Sequence, residues 1–154
     1  MSKKSKIDVV GVRLVRERAF YSTRPISNPD IALEVVGERL SQYDREVLAV
    51  LNLDSAGRIV NVNVSAIGCL DSAPVHPREV FKAAILSNAQ AIMVMHNHPS
   101  GNLEPSKEDR GVCRRLGEAG RLMGLPLLDF LITGDGRLYS FAAHDEMRKE
   151  AHHD

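Results

Sequence analysis

A short apolar run, Ala91-Ile92-Met93-Val94-Met95, leads directly into His96-Asn97-His98-Pro99, and this junction constrains the fold more than any other part of the chain. The run has the length and composition of a buried strand. Side chains alternate across a strand, so His96 and His98 share one face while Asn97 takes the other. Pro99 has no N–H to give to a ladder, and Ser100-Gly101-Asn102 is turn chemistry, so the strand stops there. The fold must therefore deliver a pair of imidazoles at the end of an interior strand, beside a loop.

Pro105 and then Ser106-Lys107-Glu108-Asp109 follow that loop with the spacing of a capping box that opens a helix. Val112, Cys113, Leu116, Ala119 and Met123 recur at helical spacing, so the helix packs a stripe inward, and Asp109 lies one turn before Cys113 on that stripe. A carboxylate aimed inward needs a partner to offset its desolvation. A metal ion shared with His96 and His98 is such a partner. Two imidazoles and a carboxylate leave one position of a tetrahedral zinc open, the arrangement of a catalytic site rather than a closed structural one. Water in that position has its pKa lowered by the ion, and the Ser106 hydroxyl stands where it can donate to the oxyanion formed when such a water attacks a carbonyl. A general base is missing from this set. Taken singly, the histidines read equally well as a hydrogen-bonded strand-end pair, and Ser106 with Asp109 as the capping box alone.

Periodicity organises the rest of the chain. Lys6 to Phe20 begins with alternating apolar residues and reads as an N-terminal strand, and Ser22 to Pro29, with two prolines, as a connector. Asp30 to Leu40 is amphipathic and helical, with Pro29 just ahead of it. Val47 to Leu53 and Ile59 to Ala66 are strands joined by a turn at Asp54-Ser55-Ala56-Gly57. In the second of these, Val60, Val62 and Val64 face one way and Asn61 and Asn63 the other, the mark of a half-exposed antiparallel strand. Pro77 to Asn88 is a helix, and Leu127 to Thr133 pairs with Arg137 to Phe141 across Gly134-Asp135-Gly136. The expected fold class is α/β, a sandwich around a central mixed β-sheet, with residues 1–26 as strand and connector, 27–143 as the domain and 144–154 as a polar tail that carries His144, His152 and His153.

Bulk properties fit a small enzyme of one domain. At 154 residues the chain is long enough to bury a sizeable core. Twenty basic and twenty acidic residues give a formal net charge of zero, which offers no broad attraction to nucleic acid. No apolar stretch is long enough to span a bilayer, and Met1-Ser2-Lys3-Lys4-Ser5-Lys6 lacks the apolar region of a signal peptide, so a cytoplasmic protein with no membrane partner is expected. Cys69 and Cys113 lack a Cys-x-x-Cys spacing and read as reduced, mostly buried thiols.

The spacing His-x-His, seven residues, Ser, two residues, Asp resembles the JAMM (MPN+) metalloprotease motif. The wording His96-Asn97-His98-Pro99-Ser100-Gly101 with Pro105-Ser106 and Asp109 resembles its bacterial RadC branch. The likeness runs upstream through Val75-His76-Pro77-Arg78-Glu79-Val80-Phe81 and downstream through Leu127-Leu128-Asp129 and Tyr139-Ser140-Phe141, so it covers roughly residues 27 to 141. It implies a JAMM/MPN-like (cytidine deaminase-like) fold and one zinc ion per chain on His96, His98 and Asp109, with Ser106 as the motif serine. It also implies a glutamate base just before the first core strand. Glu46, ahead of Val47-Leu48-Ala49-Val50-Leu51, is the preferred match; Glu79 is the competitor, already explained as a first-turn acid that complements a helix dipole. Two positions depart from the pattern: Phe130 stands where a histidine is usual, and Ala142-Ala143 where Arg-Glu is usual. Longer members carry a helix-hairpin-helix region for which residues 1–26 leave no room, so a catalytic domain alone is expected.

The resemblance thus implies a zinc-dependent peptidase or isopeptidase acting on an unknown peptide or protein substrate. The alternative it carries is a DNA repair or recombination accessory role, which no residue pattern here supports; a scaffold without chemistry conflicts with the intact set of donors.

Overall fold

A computed structural model describes residues 7, 9–17, 25, 28–68 and 75–149. Helix α1 (Pro29–Ala32) starts at Asn28, whose side chain accepts from the Ile31 N–H, with Pro29 at the first helical position. It runs through a π-helical stretch (Leu33–Gly37) into α2 (Glu38–Leu40). Strand β1 (Val47–Leu53) and strand β2 (Ile59–Ile67) form a hairpin, α3 (Pro77–Leu86) leads into β3 (Ala91–Asn97), and α4 (Lys107–Met123) crosses over to β4 (Leu127–Gly134). Strand β5 (Arg137–Ser140) and α5 (Glu146–Lys149) complete the order.

The sheet runs β2-β1-β3-β4-β5, with β3 and β4 parallel and the other neighbours antiparallel. It is mixed, as the patterning predicts: among the described residues the parallel pair is β3–β4, joined through α4. Both central strands, β1 and β3, are buried along their whole length. Alternation splits them between two cores. Leu48, Val50, Ile92 and Val94 meet Phe81, Val112 and Leu116 of α3 and α4, whereas Ala49, Leu51, Met93 and Met95 meet Ala32, Val36 and Leu40 on the opposite face. The architecture is the α/β sandwich expected for a JAMM/MPN-like fold.

Some elements differ from the sequence reading. Ile7 and residues 9–17, part of the segment read as an N-terminal strand, carry no regular secondary structure, and their apolar side chains are exposed. Alternation makes a strand only where a ladder partner and a core receive it; the remainder of Lys6 to Phe20, like Cys69, His152 and His153, lies outside the described residues. On β2 the register slips opposite Leu48/Ala49 and Asn52/Leu53, and the second slip sets Val60 out of step with Val62: Val62 packs into the second core, while Val60 and Val64 are exposed. The β4–β5 turn has positive φ at both Asp135 and Gly136, the twist that suits a two-residue hairpin. The start of the expected tail is packed: Met147 lies against the first core, and Glu146 joins Tyr139 and Arg110, 2.8 Å from the Arg110 guanidinium. Among the described residues, no helix is long and apolar enough to cross a membrane.

Candidate metal centre

His96 is the penultimate residue of β3 and His98 follows the strand, so both reach the face shared with α4, their rings edge to face with centroids 4.9 Å apart. The loop that follows is pinned to β4. The His98 N–H donates to Thr133 O (2.8 Å), the Gly101 N–H to His98 O (3.0 Å), and Arg137 to Gly101 O (2.9 Å). Gly134 lets the strands approach there; a Cβ on it would stand 3.1 Å from His98 O and 3.0 Å from the Gly101 Cα.

Asp109 arrives from the first turn of α4. The capping box forms as its spacing predicts: Ser106 Oγ accepts from the Asp109 N–H (3.0 Å), while the Ser106 N–H donates to Asp109 Oδ2 (2.7 Å). The Ser106 hydroxyl also donates to Oδ2, at 2.7 Å. Buried on the helix's inner stripe, Asp109 faces both imidazoles, with Oδ1 3.2 Å from His96 Nδ1 and Oδ2 3.4 Å from His98 Nε2.

Glu46 immediately precedes β1, as the sequence reading placed it, and its carboxylate stands 3.9 Å from His96 Nε2. Glu46, His96 and His98 each offer a ligand atom, all within 4.8 Å of one another, and so form a group able to hold a metal ion. Glu79 does not join them. It sits exposed in the first turn of α3 and pairs with Lys82 at 2.7 Å, which keeps its carboxyl below the usual range.

Two details decide whether a cation fits. His96 is 1% exposed, and among the described residues its Nε2 has no hydrogen-bond partner although it faces this cluster. A buried nitrogen without a partner is costly unless something supplies one, and a metal ion does. His98 Nδ1 lies 2.6 Å from Asn102 O, an acceptor only, so Nδ1 carries a proton and Nε2, which faces Asp109, is the nitrogen that could hold an ion once deprotonated. Sequence reasoning missed Asn102; its only signal was its place in the turn four residues after His98.

In the absence of an ion, the carboxylate and the imidazoles hold one another's charges. Burial pushes the Asp109 carboxyl up, but hydrogen bonds from His96, His98 and Ser106 outweigh it and hold the group far below the usual carboxylate range. Asp109 in turn raises His98 against the opposing effect of burial. The donors open onto a cleft of about 270 Å³, also lined by Ser100, Asn102, Glu104, Ser106 and Glu108.

The two departures from the family pattern lie outside this cleft. Phe130 is fully buried in the first core, edge to face with Phe141 at 5.0 Å. Ala142 and Ala143 contribute backbone N–H groups to Asp129 Oδ1 (2.9 Å) and Ser140 Oγ (3.0 Å), contacts that do not depend on their side chains.

Comparison with known proteins gives the same family as the motif. The model of the RadC-like JAB domain matches residues 26–147. A UPF0758 protein of Desulfitobacterium hafniense is 42% identical over 118 residues, 76% of this chain and 52% of the relative. One from Clostridium perfringens is 40% identical over 120 residues (78% and 53%), and one from Methanosarcina mazei 39% over 117 (76% and 51%). The chain spans about half the length of these relatives. With the domain match over most of its length, this chain belongs to the RadC-like JAB domain family.

Proposed function

We propose that this chain is a zinc-dependent hydrolase of amide bonds, a JAMM-type peptidase or isopeptidase. The observation that carries the reading is the buried, unpartnered Nε2 of His96, facing a cluster with His98 and Glu46. His96, His98 and Asp109 would hold the ion, two nitrogens and one oxygen being a donor set that suits zinc and leaves a position open. A zinc ion there supplies an acidified water and polarises the carbonyl to be attacked.

The protein's own groups do the rest. Glu46, 29% exposed and beside His96, takes the proton of the attacking water and returns it to the leaving amine. Asn102 fixes the tautomer of His98 through its carbonyl. The hydroxyl proton of Ser106 is engaged by Asp109, so its first role is to orient that carboxylate; it serves the oxyanion only by exchanging that bond. Elemental analysis tests the metal half of the reading: about one zinc per chain is expected in the native protein and none in a His96→Ala/His98→Ala variant. Screening a library of internally quenched peptides and isopeptides tests the other half. Glu46→Gln should keep zinc and lose turnover by at least about a hundredfold, and retained turnover would move the base elsewhere.

A further inference from the structure

We infer that Asn97, between the two histidines but on the opposite face of β3, is a positioning residue that fixes Glu46 at the metal centre; this rests on the reading of Glu46 as the base. Asn97 is buried. Its Oδ1 accepts from the Val47 N–H at 2.6 Å, and its Nδ2 donates to Arg45 O at 3.1 Å and Leu40 O at 3.3 Å. Arg45 and Val47 are the residues on either side of Glu46. The Glu46 carbonyl is held by the N–H of Gly68, just past the end of β2, at 2.8 Å.

The backbone of Glu46 is therefore gripped before, at and after the residue, with only its side chain left to reach the site. Without this grip Glu46 would sit on the frayed start of a strand, joined to α2 by the turn after Leu40. Leu40 O, at the end of α2, accepts from the same carboxamide in addition to the Tyr43 N–H at 3.2 Å. Asparagine is the side chain whose chemistry fits, because one end must accept from an N–H and the other must donate to two carbonyls. Aspartate would turn an oxygen against two carbonyl oxygens, and alanine would take a partner from the buried Val47 N–H and from the Arg45 carbonyl. One short strand-end segment thus sends its histidines to the ion and its asparagine to the base.

Amide exchange and acetohydroxamate binding test this without a known substrate, since a hydroxamate on zinc donates a hydrogen bond to a correctly placed base. In Asn97→Ala the Val47 amide should exchange at least about tenfold faster than in the native protein; in Asn97→Asp, which keeps the acceptor, it should stay protected. Zinc content should hold at one per chain. Acetohydroxamate should bind about tenfold more weakly to Asn97→Ala, Asn97→Asp and Glu46→Gln, and the Asn97→Ala/Glu46→Gln double variant should be no weaker than Glu46→Gln alone. Unchanged Val47 protection in Asn97→Ala, or losses that multiply in the double variant, would overturn the clamp. Native hydroxamate affinity in Glu46→Gln would overturn the reading of Glu46 on which it rests, so the two failures separate. Should Asn97→Ala fail to fold, the native protein decides: the Asn97 carboxamide protons must be protected from solvent exchange, and free exchange overturns the clamp.

Discussion

Asp109 and Asp129 are both buried carboxylates, and both accept from a serine hydroxyl and from backbone N–H groups. They are nonetheless pushed in opposite directions. Burial raises the Asp129 carboxyl, and the Ser140 hydroxyl with the N–H groups around it does not offset this. At Asp109 burial acts in the same sense but is outweighed, with the two imidazoles as the leading cause. At Asp129 the hydroxyl and amides do not outweigh burial, whereas at Asp109 two imidazoles join a serine hydroxyl and an amide and reverse the balance. Asp129 is a turn-builder that fastens β4 to the segment after β5, and Asp109 is one wall of a cation site.

The sharpest way to break this contrast is to remove each charge while keeping its shape. Asp109→Asn should weaken zinc binding by about a hundredfold, because a ligand is lost and the orientation of His96 and His98 with it. Asp129→Asn should leave zinc affinity unchanged within a factor of two or so, since its partners are the Ser140 hydroxyl and backbone N–H groups rather than the site histidines. Competition against a chromophoric chelator measures both. Equal losses would show that the two carboxylates differ only in position.

A middle-sized effect separates the serines. Ser106→Ala removes a helix cap and should cost about 1 kcal/mol of stability in the metal-free protein. It should also weaken zinc severalfold through the freed Asp109 carboxylate. Ser140→Ala should cost a similar ~1 kcal/mol, because Asp129 loses a donor and the Ala143 N–H an acceptor, with zinc binding untouched. Chemical denaturation with and without zinc reads both effects; a Ser140→Ala variant that loses zinc would join the two regions.

The Asp109 side of this comparison was legible in the sequence and the Asp129 side was not. His96, His98, Ser106 and Asp109 are close in sequence, on elements whose caps and periodicities are local, so their convergence can be built from strand alternation and one helical turn. Glu46 needed the family resemblance, because its approach to His96 depends on the pairing of Leu48 with His96 across the sheet, which no local pattern encodes. The contacts of Asn97 span 50 to 57 residues and were invisible for the same reason. Asp129 meets Ser140 only once the β4–β5 register is set. The N-terminal segment marks the converse limit, where alternation of apolar residues suggested a strand for which the described chain provides no partner.

The smallest expected effect is a difference in the sign of pH dependence, measured on the metal-free protein. The folded-state pKa of Asp129 lies above the ordinary aspartate value of 3.8, so folding favours its protonated form. Its contribution to stability is then fully present below that value and is lost as pH rises through the raised one. Relative to Asp129→Asn, which cannot ionise, the native protein should therefore lose ground as pH rises from the ordinary value through the raised one. The folded pKa of Asp109 lies below the ordinary value, so its contribution is present above that value and fades only as pH falls towards the depressed one. Against Asp109→Asn the native protein should gain ground as pH rises out of the acid range, the opposite slope. Urea midpoints of the native protein and the two asparagine variants across the acid range test this directly. Slopes of the same sign would mean that the imidazoles do not hold the Asp109 charge in the metal-free protein, and that the ion itself must be what makes the site.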